Sequence, residues 1–414
     1  QKEFESLRLE NEDLEASVSK DIWNAENDIT KEQEISLEKL FKDYPENNFL
    51  CNKYDKKTKK FNPYSGGLFN KNIEETIAFY SSGNIQSTRP NIPYGNGYNK
   101  YLEEHIQNIL KQKPNAKFMF YNSKTAYSLS EELYSHFICM NSLRLLNKIS
   151  DKVYTRFWLS ESVPTLSTVL LAGNELNINK LKSLFQGFDS FVIQENRSSG
   201  GFGTYILTEE NFEKVRRKLY DDDLYIVSPY LRNSISTNSQ FIIFDDGILL
   251  LPCSVQIVLE NDNRLLYRGG DFLAFRDISY EKVTLINRYT LEIAEKLKRM
   301  GYRGICGIDY LTNKDNVFFQ EINARFQASS IVINKVLAEK NLPSIQELNI
   351  MAFEHQKCPY FPFHSLNVNY SMFKILGENH EVYPSYLYSR IKQDHEYVSC
   401  ILDDGYTLTQ KIGN

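Results

Sequence analysis

The stretch from Gly304 to Ser330, GICGIDYLTNKDNVFFQEINARFQASS, decides how the rest of the chain is read. An apolar run from Ile305 to Leu311 carries a single carboxylate at Asp309. It turns through Asn313, Lys314, Asp315 and Asn316 and returns as a second apolar run from Val317 to Ile322. Two short apolar runs joined by Asn/Asp/Lys punctuation predict a β-hairpin. Strand side chains alternate between faces, so Glu321 and Asn323 are expected on one face and Phe318, Gln320 and Ile322 on the other. The hairpin can bring Asp309 onto the Glu321 face. Two carboxylates and an amide oxygen at one strand end are hard oxygen donors, of the kind Mg²⁺ takes when it also holds phosphates. Arg325, two residues on, adds a cation with a bidentate fork. The same residues also fit an ordinary hairpin whose Glu321 and Arg325 form a surface ion pair, which contributes little.

A second stretch, FDSFVIQENRSSGGFGTYIL, lies more than a hundred residues upstream. Phe191–Gln194 reads as a strand and Tyr205–Leu207 as its partner. Between them stand Ser198, Ser199, Gly200, Gly201, Gly203 and Thr204, a segment with little side-chain bulk and many backbone N–H groups, suited to lie against phosphates. No GK[ST] follows, and a strand follows the glycines where a dinucleotide fingerprint needs a helix. Strand, glycine-rich flap, strand is the better description. Downstream, IVSPYL can set the backbone of Ser228, Pro229, Tyr230 and Leu231 beside a purine ring.

Length and composition bound the rest. A chain of 414 residues accommodates two or three domains. A net charge of −5 argues against a nucleic-acid partner. No run of about 18 uncharged apolar residues occurs, so no membrane span is expected. The charged opening QKEFESLRLENEDLEAS has no signal-peptide core. The six cysteines form no CxxC pair and read as free thiols in a reducing compartment, which makes the expected location cytoplasmic.

In chain order, residues 1–40 read as a polar helix or tail, and 41–150 as an N-terminal α/β domain. In that domain, helices over Glu74–Tyr80 and Tyr101–Gln112 alternate with a strand from Lys117, as in a small parallel sheet. SEELYSHFICMNSLRLLNK predicts one helix over Ser130–Lys148 with a capping box at Ser130. Residues 151–230 carry a helix from about Lys152 to Ser160 and the flap. Residues 231–342 carry further strands, a packing helix over Val283–Met300 and the hairpin. Residues 343–414, dense in aromatics, read as a β-rich extension or cap.

Together, the NKISDKVYTR segment, the strand and flap, the hinge strand at Tyr225–Leu231 and the GIDY…FQEINARF hairpin resemble the ATP-grasp superfamily of carboxylate-amine ligases over about Leu146–Leu337. The resemblance implies α/β and α+β architecture: a preATP-grasp-like N-terminal domain, two α+β ATP-grasp subdomains and a small C-terminal extension. It implies ATP and Mg²⁺, two ions with Mn²⁺ as a possible substitute, held by Asp309, Glu321 and Asn323. Arg325 would steady the transferred phosphoryl group, Lys152 would reach the nucleotide phosphates, the flap would close over them, and Ser228–Leu231 would line the adenine. The chain departs from the family at Gln194, where a second Lys is usual, with Arg197 nearby as a candidate substitute, and at Ser228, where a hinge acid is common. The implied activity joins a small carboxylate to an amine, amino acids or a peptide among the substrates, in metabolite biosynthesis. The alternatives are transfer onto a carrier thiol or protein amine, and a nucleotide-binding module without turnover. Partners are small molecules, with a carrier protein and a homodimer as further options.

Overall fold

The computed structural model describes residues 98–196, 203–232, 234–261 and 263–373. It also places the strand residues 54–55, 60–61, 77–81, 84–88, 397–401 and 407–411. The predicted tail over residues 1–40 and flap residues Ser198–Gly201, with Arg197, lie outside the described residues.

The N-terminal part holds β1 (Ile77–Ser81), β2 (Asn84–Thr88), α1 (Tyr98–Gln112) and β3 (Lys117–Phe120). β1 is a strand where the sequence suggested a helix. Ile77, Phe79 and Tyr80 are β-formers, and pairing on both sides overrides any helical preference. The sheet is antiparallel, in the order β2–β1–β3, so the parallel sheet expected here is not formed by the described strands.

The single helix expected over 130–148 is also interrupted. A 3₁₀ turn covers Glu131–His136, the chain then runs extended, and α2 occupies only Leu143–Ile149, capped by Ser142. The reason is tertiary. Phe137 bridges Phe118 of β3, the Ile138 N–H donates to the Phe118 carbonyl at 2.9 Å, and Cys139 turns the chain at φ +60°. Phe137 meets Phe120 edge-on at 5.0 Å. Ser130 forms no capping box; its hydroxyl donates to Glu103 of α1 at 2.8 Å.

α3 (Lys152–Leu159) follows directly, with Asp151 as its cap. Then come β4 (Val169–Ala172), α4 (Ile178–Leu184), β5 (Phe191–Glu195), β6 (Thr204–Leu207), α5 (Phe212–Arg216) and β7 (Leu224–Pro229). The remaining strands are β8 (Ile235–Ile243), β9 (Ile248–Leu250), β10 (Ser254–Asn261) and β11 (Arg264–Asp271). α6 (Tyr280–Arg299), β12 (Gly304–Thr312), β13 (Val317–Asn323), α7 (Ser330–Glu339), α8 (Ile345–Phe353) and β14 (Ser371–Phe373) complete the body.

Strand order is β13–β12–β8–β10–β11–β6–β5–β7–β4, a path made of two sheets that meet where Arg264 pairs with Tyr205. The four strands on the flap side bury Leu171, Phe191, Ile193, Leu207 and Val227 over α4 and α5. On the hairpin side, α6 buries Ile286, Ile293 and Leu297 against Phe241, Ile308, Tyr310 and Phe319. Each of these side chains contributes roughly 1.5–3 kcal/mol by leaving water. α7 and α8 cover Ile242, Phe244 and Ile305 from the opposite side. Asp309 lies between Ile308 and Tyr310 in sequence, so strand alternation turns it away from the α6 core.

The segment beyond residue 343 is in part core: α8 packs under β12, and β14 pairs with β11 at the sheet margin. The strands Tyr397–Ile401 and Thr407–Lys411 pair with each other, and Cys400 pairs with Ser371. Cys139, Cys253, Cys306 and Cys358 are free thiols, as expected. Among the described residues no helix is long and apolar enough to cross a membrane.

Candidate active site

The hairpin forms as expected, with Asp309 opposite Glu321 and Gly307 opposite Asn323. The face assignment needs one correction. A bulge between Asp309 and Tyr310 leaves Gln320 as an extra residue, since the next pair is Tyr310 with Phe319. Phe319 and Ile322 therefore both enter the α6 core, Phe318 is half-buried, and Gln320 does not share a regular face with either. Bulges re-aim side chains at the margins of sheets, and here one sets Glu321 beside Asp309.

Three amides hold the Asp309 carboxylate. Asn238 Nδ2 and Gln256 Nε2 donate to Oδ1 at 2.6 and 2.9 Å, and Asn323 Nδ2 donates to Oδ2 at 2.9 Å. Asn238 also donates to Gln327 Oε1 at 2.6 Å. Burial, with the neighbouring negative charge of Glu321 second, raises the Asp309 carboxyl to about 7 despite these donors. Burial also pushes Glu321 upward. The Lys152 ammonium, with Nζ 3.3 Å from Glu321 Oε2, outweighs it and leaves Glu321 below its ordinary value. Glu321 thus takes a buried lysine as its ion-pair partner and is not the exposed partner of Arg325 that the bland alternative required.

Lys152 is 5% exposed at the start of α3. Asp151 fixes that start. One carboxylate oxygen accepts from the Tyr154 N–H at 2.8 Å, and the other accepts from Asn196 Nδ2 at 2.9 Å. Asn196 Oδ1 in turn accepts from the Val153 N–H at 3.2 Å. The end of β5 is thereby tied to the turn of helix that carries Lys152. Arg325 spreads its fork over Tyr121 Oη at 2.6 Å, the Phe326 carbonyl at 3.1 Å and Asn323 Oδ1 at 3.2 Å, with Tyr121's ring centroid 5.4 Å from the guanidinium. Asn323 is oriented from both sides, since a carboxylate can only accept and a guanidinium can only donate. Its oxygen, the atom expected to face a metal, is engaged by Arg325.

Lys152, Asp309, Glu321, Asn323 and Arg325 are therefore brought together. Gln194 joins them through Arg156, which was not singled out in the sequence: Nη2 donates to Gln194 Oε1 at 2.9 Å. Gly203, at φ +66°, accepts from the Glu195 N–H at 3.0 Å, and a Cβ there would meet the Glu195 carboxylate. Thr204 pairs with Gln194 and is buried. Ser228 and Pro229 end β7 opposite Val192 and Phe191, and the Tyr230 N–H donates to Ser190 at 2.9 Å. Leu231 accepts from Ser234 Oγ at 2.6 Å. The strand that these hinge residues end pairs with the Gln194 strand.

Asn238 and Gln256 went unmarked in the sequence. For Asn238 the signal is the unbroken polar run Ser236–Gln240 at the start of a strand that ends Phe241–Ile243, within which alternation puts Ser236, Asn238 and Gln240 on one face. Gly307 belongs to the same face. A Cβ there would lie 1.1 Å from Gln327 Nε2, inside the amide that holds Asn238. Gly307→Ala should displace Gln327 and destabilise the protein by about 1–3 kcal/mol, read as a lower urea midpoint at unchanged slope.

The donor set suits a hard divalent cation. Two carboxylates in contact, one of them driven toward protonation by burial beside the other, are relieved by added positive charge. Among the described residues no group of three or more His, Cys, Asp or Glu side chains gathers, so two carboxylates and an amide are what is offered.

A two-sheet body with a carboxylate–amide cluster on its hairpin and buried cations beside it defines the class, and comparison with known proteins names it. Residues 149–329 match the family model for the ATP-grasp domain, and this part of the chain is an ATP-grasp domain. The "[Butirosin acyl-carrier protein]--L-glutamate ligase" of Niallia circulans is 26% identical over 174 residues, 40% of this chain and 40% of that protein. The chain thus matches less than half the length of that relative. A biotin carboxylase complex from Campylobacter jejuni is 17% identical, with 66% of this chain and 61% of that chain covered and a TM-score of 0.49. N5-carboxyaminoimidazole synthetase from Staphylococcus aureus, complexed with ADP, is 14% identical, with 75% and 80% covered and a TM-score of 0.47.

Proposed function

We propose that the chain is an ATP-dependent ligase that activates a carboxylate as an acyl phosphate and joins it to an amine, releasing ADP and phosphate. The observation that carries this reading is the pairing of buried Asp309 with half-buried Glu321, bracketed by Lys152 and Arg325 inside the ATP-grasp domain. A carboxylate oxygen attacks the γ-phosphorus of ATP and ADP departs. The amine nitrogen then attacks the acyl carbon, the C–O bond to phosphate breaks, and the amine gives up a proton.

Phosphoryl transfer asks the protein chiefly for positioning and charge neutralisation. Lys152, fixed by the Asp151 cap, meets the phosphates from the helix side. Arg325, clamped by Tyr121 and Asn323, meets the transferred group from the hairpin side. The flap over residues 198–204 screens the acyl phosphate from water. Asp309 and Glu321, with Asn323, would hold Mg²⁺, two ions or Mn²⁺ in its place, and the ion would supply positive charge against the phosphate oxygens.

A second reading has one specific support, the carrier-protein ligase of Niallia circulans among the relatives. In it the acyl phosphate passes to a group borne on a carrier protein. Release of ADP and phosphate decides between the readings. Dependence on both a free carboxylate and a free amine, found in a screen of amino-acid pairs, supports the first. Dependence on an added carrier protein supports the second. ADP release that ignores every acceptor would contradict both.

A further inference from the structure

Arg156 is a buried cation that the chemistry above does not use. It is 5% exposed, one turn beyond Lys152 on the same face of α3, and it bridges the two halves of the site. Nη2 donates to Gln194 Oε1 on the flap strand at 2.9 Å, and Nε donates to the main-chain carbonyl of Gln320, the bulge residue, at 3.3 Å. Nη2 also lies 3.4 Å from Gln320 Oε1. Burial, partly offset by Glu321, lowers its pKa to about 10, so the guanidinium stays charged at neutral pH.

A guanidinium has donors only. A side-chain amide against it must present oxygen, whichever way it would otherwise rotate, so the Gln194 nitrogen is sent the other way. Among the described residues no protein acceptor takes that nitrogen. Beside it, Gln320 Nε2 and Arg156 Nη1 are buried without a partner, which marks this junction as polar beyond what the fold itself consumes. Gln194 pairs with Thr204, the last residue of the flap segment, and Gln320 immediately precedes Glu321.

We propose that Arg156 is a positioning residue of the nucleotide site. By holding the oxygen of the Gln194 amide it aims Gln194 Nε2, as a neutral donor, at an acceptor on the bound nucleotide, and through Gln320 it ties that donor to the bulge that presents Glu321. The proposal rests on the nucleotide reading above. It makes Arg156 and Gln194 one unit: the cation acts through the amide and does not touch the phosphates itself.

Calorimetric titration of the full chain with MgADP tests this through a double-mutant cycle. Arg156→Met and Gln194→Leu should each weaken binding about tenfold, the loss of one hydrogen bond to a charged ligand, and the double variant should also lose about tenfold. A loss near a hundredfold in the double variant overturns the proposal, because Arg156 would then act independently. An Arg156→Met protein that melts lower and binds MgADP normally overturns it too, leaving a role in folding only. Arg156→Lys keeps a donor for Gln194 and should recover most of the affinity.

Should Arg156→Met not fold, Gln194→Glu decides. Its carboxylate satisfies Arg156, so the melting temperature should not fall, yet it offers no donor and MgADP binding should drop at least tenfold. Unchanged binding in Gln194→Glu overturns the proposal. Failure of the wild-type chain to bind MgADP would overturn the nucleotide reading itself, a result distinct from any of these.

Discussion

Glu321→Gln is expected to reduce ADP formation at least about a thousandfold, the scale of removing a preorganised charge from a phosphoryl-transfer site. The substitution preserves shape and removes the charge that faces both Asp309 and Lys152. It should also lower stability by about 3 kcal/mol, because Lys152, 5% exposed, is left as a buried cation without its anion. The two effects separate in the double variant Lys152→Met/Glu321→Gln. Removing both charges should restore most of the stability, since a buried pair replaced by neutral groups is often nearly neutral in free energy, while activity stays lost. Denaturation midpoints and phosphate release, measured on the same preparations, read both. A Glu321→Gln enzyme with near-normal turnover would place the chemistry elsewhere.

Asp309→Asn is expected to abolish turnover and, in the absence of metal, to raise stability at alkaline pH. The sign follows from the direction of the shift. Burial beside Glu321 raises the carboxyl from 3.8 to about 7, so between those values the native state binds more protons than the unfolded chain. Stability then falls as pH rises through that window, and above pH 7 the full burden of the ionised group is present. A neutral amide removes it. The introduced amide must turn that of Asn323 or leave it facing another N–H, which offsets roughly 1 kcal/mol, so a net gain of about 1–3 kcal/mol at pH 8 remains. The wild-type and variant melting curves should converge near pH 4. Mg²⁺ should raise the wild-type melting temperature at pH 8 and leave the variant unmoved. Equal melting temperatures across the whole range would mean that Asp309 is not a strained carboxylate.

The parts of the fold legible in the sequence are those whose signal is local. The hairpin over 304–323 announces itself by two apolar runs and an Asn/Asp/Lys turn, α6 by apolar residues at helical spacing, and α3 by its stop before Pro164. Failures cluster where distant pairing overrides local preference. Phe137 leaves a helical stretch to join Phe118, and Ile77–Ser81 becomes a strand between two partners. The bulge at Gln320 is invisible to a period-two count, which is why such a count groups Ile322 with Gln320 and Phe318. Within the site, Asp309, Glu321, Asn323, Arg325 and Lys152 could be named from residue type and spacing. Their partners could not, because Asn238, Gln256 and Arg156 come from other elements and meet the site only in the fold.

The most direct test of the central claim is a crystal structure of the chain grown with ADP and Mn²⁺, collected for the anomalous signal of manganese. Manganese peaks bound by the Asp309 and Glu321 carboxylates, with the diphosphate between them and Lys152, are the predicted result. ADP bound with its phosphates away from this hairpin, or manganese held by other residues, would contradict the account.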